Sequence, residues 1–391
     1  PPTVTNLPAT LVGATTVTLN GQVLDTGNEW PAVTIYYGTT DGGTNPAAWS
    51  NQVSLASQGG VFNLQVAGLA ENTTYYYTTF AFNSAGSSWG GPSKSFTTLA
   101  VKHIPVLTYH YDNTRQGLNP NETLLSPANV TKNSFGKLFT YPVDGYVYAQ
   151  PLIMTNLNIP GKGTHNVLFV LTMHDTVYAF DADSNGGTDG GLLWKTNVGL
   201  SALSPSPEYG LRYHAQGNTD VVPEEGMIGT PVIDPATGTL YLDAFTREVV
   251  PGVSTNYYHR IHALDVTTGN ERPYSPVIVA GSVPGNGVNG SGGVSGAGTG
   301  ATITDGGPSV QFSAIQHCAR PALTLAGGIL YAAYGSHDDT DPYHGWVFGY
   351  NPTNLALVSI YCTTPNASLS AFGSHAGRRD LDGRQWIVRG R

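Results

Sequence analysis

The stretch H-N-V-L-F-V-L-T-M-H-D-T-V-Y-A-F-D-A-D-S-N, His165 to Asn185, decides the fold, together with Gly191-Leu-Leu-Trp-Lys-Thr-Asn-Val-Gly199 behind it. Two apolar runs rich in Val, Phe and Tyr are split by a polar pivot at His174 and Asp175. A turn-rich patch ends the second run, and Leu192-Leu193-Trp194 opens a third. Short apolar runs punctuated by Gly, Asn and Asp predict consecutive antiparallel strands, a meander.

The unit recurs. Tyr178-Ala-Phe-Asp181 is echoed by His262-Ala-Leu-Asp265 and by Phe348-Gly-Tyr-Asn351, each followed by turn residues. A second anchor precedes each unit: Gln150-Pro151-Leu152-Ile153, Thr230-Pro231-Val232-Ile233 and Arg320-Pro321-Ala322-Leu323. The prolines lie 231 − 151 = 80 and 321 − 231 = 90 residues apart. A bare four-stranded blade takes ~40–50 residues, so the spacing predicts inserted loops at Ser201–Glu225 and Ser282–Gln316.

On these residues the chain resembles the quinoprotein-type, PQQ-like β-propeller repeat proteins, from about Tyr109 to Asn366. The likeness includes D-N-T-R-Q-G-L-N (Asp112–Asn119), D-G-Y-V-Y-A-Q-P-L (Asp144–Leu152), I-G-T-P-V-I-D-P-A-T-G-T-L-Y (Ile228–Tyr241) and G-S-H-D-D-T-D-P-Y-H-G-W-V-F-G-Y (Gly335–Tyr350). It implies a secreted or periplasmic bacterial protein. It also implies that the Tyr109–Asn119 lead-in supplies a strand to the ring. Three repeats, roughly 140–200, 226–281 and 318–366, fall short of the ~4–8 blades of a closed ring.

Residues 1–99 read as a separate unit. Val17–Val23, Val33–Tyr37 and Phe62–Val66 alternate as strands do. Leu69–Gly86, L-A-E-N-T-T-Y-Y-Y-T-T-F-A-F-N-S-A-G, resembles the fibronectin type III pattern and implies a tyrosine corner at Tyr75. Such modules are spacers or adhesion units. Trp30 and Trp49 are candidate sugar contacts, with loop or core packing the better expectation for each.

The expected fold class is therefore all-β: a fibronectin type III-like sandwich (1–99), a lead-in (100–139), a partial propeller of about three blades (140–377) and a basic tail (378–391). The tail holds five arginines and no strand pattern. It reads as a sequence out of frame or, alternatively, as a genuine basic tail.

Composition narrows the function. Of 391 residues 11% are charged and the net charge is −9, which disfavours a nucleic-acid backbone as partner. No apolar run is long enough to span a bilayer. Two cysteines, Cys318 and Cys362, exclude a disulfide scaffold and read as free buried thiols.

First strands of blades line a propeller's channel, so Gln150, Thr230 and Arg320 are expected at its mouth, near Glu224, Glu225, Gln316 and His317. They are candidate ligand groups, or else partners of inter-blade backbone. His174-Asp175 and His337-Asp338-Asp339 hold equivalent places. An imidazole beside a carboxylate suits a general base, but the repetition favours turn capping. Asp181, Asp183, Asn185 and Asp189 have the oxygen spacing of a calcium loop, with Leu192 where the closing Glu belongs. Calcium is the one candidate cofactor. The quinone is not supported, because the resembling dehydrogenases use vicinal cysteines that this chain lacks. No G-x-S-x-G, P-loop or H-E-x-x-H occurs, and Gly285–Gly300 reads as a flexible loop.

The expected function is a binding or surface-interaction module, with a polysaccharide, cell-surface or protein ligand and self-association through open blade edges. The alternative is an extracellular enzyme on the same scaffold, an oxidoreductase or a carbohydrate-active hydrolase or lyase.

Overall fold

The computed structural model describes residues 1–100, 103–122, 125, 130–132, 135–203, 221–287, 308–336 and 344–366. The His337-Asp338-Asp339 triplet, most of the Gly/Ser-rich loop and the basic tail lie outside the described residues. The protein is all-β. One 3-10 turn, Pro46–Ala48, is the only helical element among the described residues. The chain divides into two compact units: Pro1–His103 with Pro120–Lys137, and Ile104–Asn119 with the residues from Leu138 onward.

The first unit is a sandwich. Strands β1 (Thr3–Thr10), β2 (Thr16–Asp25) and β5 (Gly60–Ala67) form one sheet in the order β1-β2-β5. Strands β3 (Ala32–Gly38), β4 (Asn51–Ser57), β6 (Thr74–Asn83), β7 (Gly86–Trp89) and β8 (Lys94–Thr97) form the other, in the order β4-β3-β6-β7 with β8 also on β6. Alternation decides which side chains go inside. Leu19, Val33, Ile35 and Tyr77 are fully enclosed between the sheets. Tyr75, at the start of β6, accepts a hydrogen bond from the Ala70 amide at 3.0 Å and stacks on Phe96, which is the tyrosine-corner arrangement. Trp49 is buried, its indole N–H donating to the Gly43 carbonyl at 3.2 Å. Trp30 is exposed and lies against Gly59.

Among its described residues the second unit contains three antiparallel meanders. The first is β9 (Leu152–Ile159), β10 (Gly163–Leu171), β11 (Thr176–Asp181) and β12 (Leu192–Asn197). Next comes a short pair, β13 (Ala202–Leu203) with β14 (Glu224–Glu225). The second meander is β15 (Val232–Asp234), β16 (Thr239–Val250), β17 (Ser254–Asp265) and β18 (Val277–Ile278). Another pair, β19 (Ser282–Pro284) with β20 (Ser309–Gln311), precedes β21 (His317–Cys318). The third meander is β22 (Thr324–Ala326), β23 (Ile329–Ser336), β24 (Trp346–Tyr350) and β25 (Leu357–Cys362), with β21 on the far end of β23.

The repeated anchor has a simple cause. The side chains of Asp181, Asp265 and Asn351 each accept from the backbone N–H two residues on, at 2.9, 2.8 and 2.9 Å. A short side-chain carbonyl or carboxylate turning the chain this way is an Asx turn, which ends the third strand of every meander.

The meanders pack in series. Phe169, Val177 and Ala179 of the first meet Ile233, Leu240 and Leu264 of the second. Tyr241, Phe245 and Ile261 of the second meet Leu330, Tyr334, Trp346 and Phe348 of the third. Polar bonds repeat along the stack: the Trp194 indole N–H donates to the Val266 carbonyl at 3.0 Å, and the Tyr241 hydroxyl to Pro352 at 2.8 Å. The outer face of the first meander is covered by Tyr141 and Val143. Among the described residues no closed barrel or propeller forms.

The lead-in differs from expectation. Tyr109–Asn119 contains no strand, and Val106 makes a single bridge to Ile153. Positive φ at His110, Tyr111 and Arg115 breaks the extended path. The loop is pinned instead by buried Arg115, which donates to Thr108 Oγ1 at 2.8 Å, the Tyr109 carbonyl at 2.6 Å and Thr324 Oγ1 at 2.7 Å.

Candidate functional site

The chemistry-bearing side chains of the second unit collect where the β10–β11 turn, β14, β16–β17 and β21–β23 converge. The turn is built first. Thr172 donates its amide to the Thr176 carbonyl at 3.0 Å, and Asp175 closes the loop with φ at 55°. Asp144 clamps it from outside, accepting from the hydroxyls of Thr172 at 2.8 Å and Thr176 at 2.6 Å.

Asp175 does not cap this turn with its side chain. The carboxyl is fully buried, and neither oxygen has a hydrogen-bond partner among the described residues. Gly226 allows this placement, because a Cβ there would stand 2.4 Å from Asp175 Oδ1. Burial, then the nearby carboxylates of Asp243, Glu224 and Glu225, push its pKa well above the ordinary carboxylate range.

Asp243 lies on β16 among apolar neighbours, facing the third meander. One oxygen accepts from His259 Nδ1 at 2.7 Å and the other from the Tyr334 hydroxyl at 2.7 Å. His259 Nε2 donates to the His317 carbonyl at 2.8 Å, so both ring nitrogens face acceptor oxygens, an arrangement that favours the imidazolium. Burial opposes that charge, but Asp243 and the two hydrogen bonds outweigh it and the His259 pKa is raised. The ring stacks on Phe245 at 4.6 Å.

His317 behaves oppositely. Its Nδ1–H donates to the Ser313 carbonyl at 2.7 Å, and Nε2 has no hydrogen-bond partner among the described residues. Burial above all pushes its pKa down to about 3. Cys318 next to it is a free thiol whose pKa burial raises. Cys362 is also free, with its pKa pushed up to about 11 by burial.

Other expected site residues are placed as follows. Glu225 is buried at this centre. Glu224 points the other way along β14, toward His174 Nδ1 at 3.0 Å and the Ser201 hydroxyl. His174 is half exposed, so this pair is the solvent-facing edge of the group. Thr230 accepts the Gln150 amide through its hydroxyl at 2.9 Å, and its carbonyl accepts the Leu323 amide at 2.9 Å, tying all three meanders together. Gln150 accepts the His110 amide at 3.2 Å through its side chain. Arg320 is exposed.

The residues with calcium-loop spacing are engaged by protein groups. Asp181 holds the Asp183 amide and His165 Nδ1 at 3.0 Å, Asp183 accepts from the Asn166 side chain at 2.8 Å, and Asp189 pairs with Lys162 at 2.8 Å. Asn185 is exposed. Among the described residues no group of three or more His, Cys, Asp or Glu is arranged to hold a metal ion. No helix among them is long and apolar enough to cross a membrane.

Sequence reasoning missed Asp243, His259 and Tyr334. The signal was present: Asp243 interrupts the run Leu240-Tyr-Leu-Asp-Ala-Phe245 at a position whose neighbours two residues either side are core aromatics.

No protein-family model matches the chain, and no curated protein does. Several solved structures are similar to a part of it. One is the sensor domain of the anti-sigma factor RsgI4 of Pseudobacteroides cellulosolvens, at 19% identity over 26% of this chain and 97% of that one, with a TM-score of 0.20. A computer-redesigned β-sandwich protein is 24% identical over 26% of this chain and 97% of its own, with a TM-score of 0.20. The fibronectin type III domain of human fibronectin type III domain containing protein 3 is 19% identical over 25% of this chain and 84% of its own, with a TM-score of 0.18.

Proposed function

We propose that this chain is an exported bacterial binding or interaction module, in which a fibronectin type III-like sandwich accompanies blades of a PQQ-like propeller. The observation that carries this reading is the Asp243–His259–Tyr334 centre. Its reactive groups are spent on one another inside the stack of meanders. Groups so enclosed hold a scaffold together; they have no face on which a substrate could sit. The solvent-facing edge, His174 with Glu224, offers a carboxylate and an imidazole to a hydroxyl-rich or cationic ligand, and a cell-surface polysaccharide fits that chemistry.

Glycan-array binding followed by calorimetry tests the reading. Saturable binding that weakens in Glu224→Gln supports it. Binding unaffected by changes at Glu224 and His174, or no binding to any glycan or bacterial surface, counts against it. Dye reduction that depends on added quinone and calcium would favour the alternative of an extracellular oxidoreductase.

A further inference from the structure

The fold encloses Asp175 completely and gives neither of its oxygens a hydrogen-bond partner among the described residues. Such a carboxyl is costly in either protonation state, since the protonated form also needs an acceptor. Buried polar groups of this kind call for a ligand.

The carboxyl is aimed at the main chain just past β14. Asp175 Oδ1 and the Met173 carbonyl oxygen each lie 2.4 Å from the point where a Cβ on Gly226 would stand. Two oxygens from different residues therefore converge on one spot, and the glycine keeps a side chain out of it. The φ of Gly226 lies outside the left-handed region, so the oxygens and not the backbone conformation call for glycine there. Glu225, the residue before it, is 2% exposed, and its charge reaches Asp175.

The charges that bear on Asp175 among the described residues are all negative: Asp243, Glu224 and Glu225. Asp243 is matched by His259, and Glu224 turns to His174 at the solvent-facing edge. An enclosed negative field of this kind draws a cation. The donors that converge are oxygens, and the neighbouring Cys318 is kept a thiol by burial, so the set suits a hard ion.

We propose that Asp175, Glu225 and the Met173 carbonyl bind one calcium ion. Two carboxylates balance its charge. Calcium accepts mixed carboxylate and main-chain oxygen in irregular geometry, whereas magnesium demands a near-ideal octahedron. The site uses two acidic side chains, with main-chain and water oxygen completing the shell, so it needs no grouping of three. Glu224, one residue along, stands at the solvent-facing edge with His174 and gives the ion a way in. The ion would tie the β10–β11 turn to β14, the strand that carries Glu224.

Calorimetric titration of the full chain, stripped with chelator and held in sodium chloride, tests this. The expected result is one calcium per chain. The thermal midpoint should also rise a few degrees for about each tenfold of free calcium above the dissociation constant. Asp175→Asn keeps the shape of the side chain and should weaken binding more than about tenfold, although without calcium it is the more stable protein at neutral pH. Glu225→Gln should weaken it similarly, and it decides the matter if Asp175→Asn does not fold. Asp189→Asn, in the exposed turn of the first meander, should leave binding unchanged. No saturable calcium binding overturns the proposal. So does binding that keeps its affinity in Asp175→Asn and Glu225→Gln, binding lost in Asp189→Asn, or a response to zinc alone that Cys318→Ser removes. None of these outcomes depends on whether a glycan binds.

Discussion

Asp243 Oδ1 stands 2.7 Å from His259 Nδ1, and each side chain is about 1% exposed. The pair bridges neighbouring strands of the second meander, and Tyr334 of the third meander completes it. A buried charge is tolerated only with its partner present. Asp243→Asn is therefore expected to cost about 3–5 kcal/mol of unfolding free energy. Replacing Asp243 and His259 together by apolar residues of similar size should cost less than the single change. Urea denaturation of the three proteins checks both statements.

The same pair has a pH signature. The His259 pKa is raised in the fold, so its contribution is fully present below the unfolded value of 6.5 and is lost as pH rises through the folded value. A His259→Phe variant should lose stability relative to the parent chiefly at low pH, with the gap narrowing in alkaline buffer. Thermal midpoints across pH read this directly.

Asp175 works against stability at neutral pH. Its carboxyl keeps a proton in the fold to a higher pH than in the unfolded chain, whose value is 3.8. Unfolding then releases a proton, and stability falls as pH rises from about 4 toward the folded value. Asp175→Asn keeps a residue suited to the positive φ and removes the ionisation. It is expected to be the more stable protein at pH 7, with the advantage gone below pH 4.

His317 carries the opposite slope over an overlapping window. Its pKa of about 3 in the fold means that stability is lost as pH falls from 6.5 toward 3. At pH 4.5 the loss should be roughly 2–3 kcal/mol. Asp175 and His317 act in opposite directions where their windows overlap above about pH 4, so their slopes offset each other in part there. His317→Gln in the parent should expose the Asp175 slope, and Asp175→Asn should expose that of His317.

The junction between the first two meanders is tight at Gly269. Its φ is 73°, and a Cβ would lie 2.5 Å from the Trp194 ring. Gly269→Val is expected to cost more than 2 kcal/mol through strain and overpacking together. Trp194→Phe loses chiefly the bond to Val266 and should cost about 1–2 kcal/mol. Guanidinium unfolding distinguishes them.

Strand parity and turn chemistry were readable because they are local. The Asp181, Asp265 and Asn351 anchors announced three meanders, and each proves to be an Asx turn. The Leu69–Gly86 pattern announced the tyrosine corner that Tyr75 makes. What sequence could not supply was pairing across sheets. Asp243 and His259 meet through register, 16 residues apart, and Tyr334 reaches them from another meander. The calcium reading of Asp181–Asp189 drew on alternate oxygens before a glycine. An Asx turn uses the same spacing, and His165, Asn166 and Lys162 engage oxygens of Asp181, Asp183 and Asp189. Thr230, by its place before a proline, reads as a ligand group or, with more weight, as a partner of backbone between repeats, and it bonds the Gln150 and Leu323 amides of the neighbouring meanders.

The most direct test of the account is the protonation state of His259, followed by imidazole nitrogen NMR in the folded protein with and without added glycan. A structural centre predicts a ring that stays doubly protonated to a pH above its ordinary 6.5 and does not respond to ligand. A ring that titrates near its ordinary 6.5, or shifts when ligand is added, would place a reactive group open to solvent and contradict the reading of this chain as a binding scaffold.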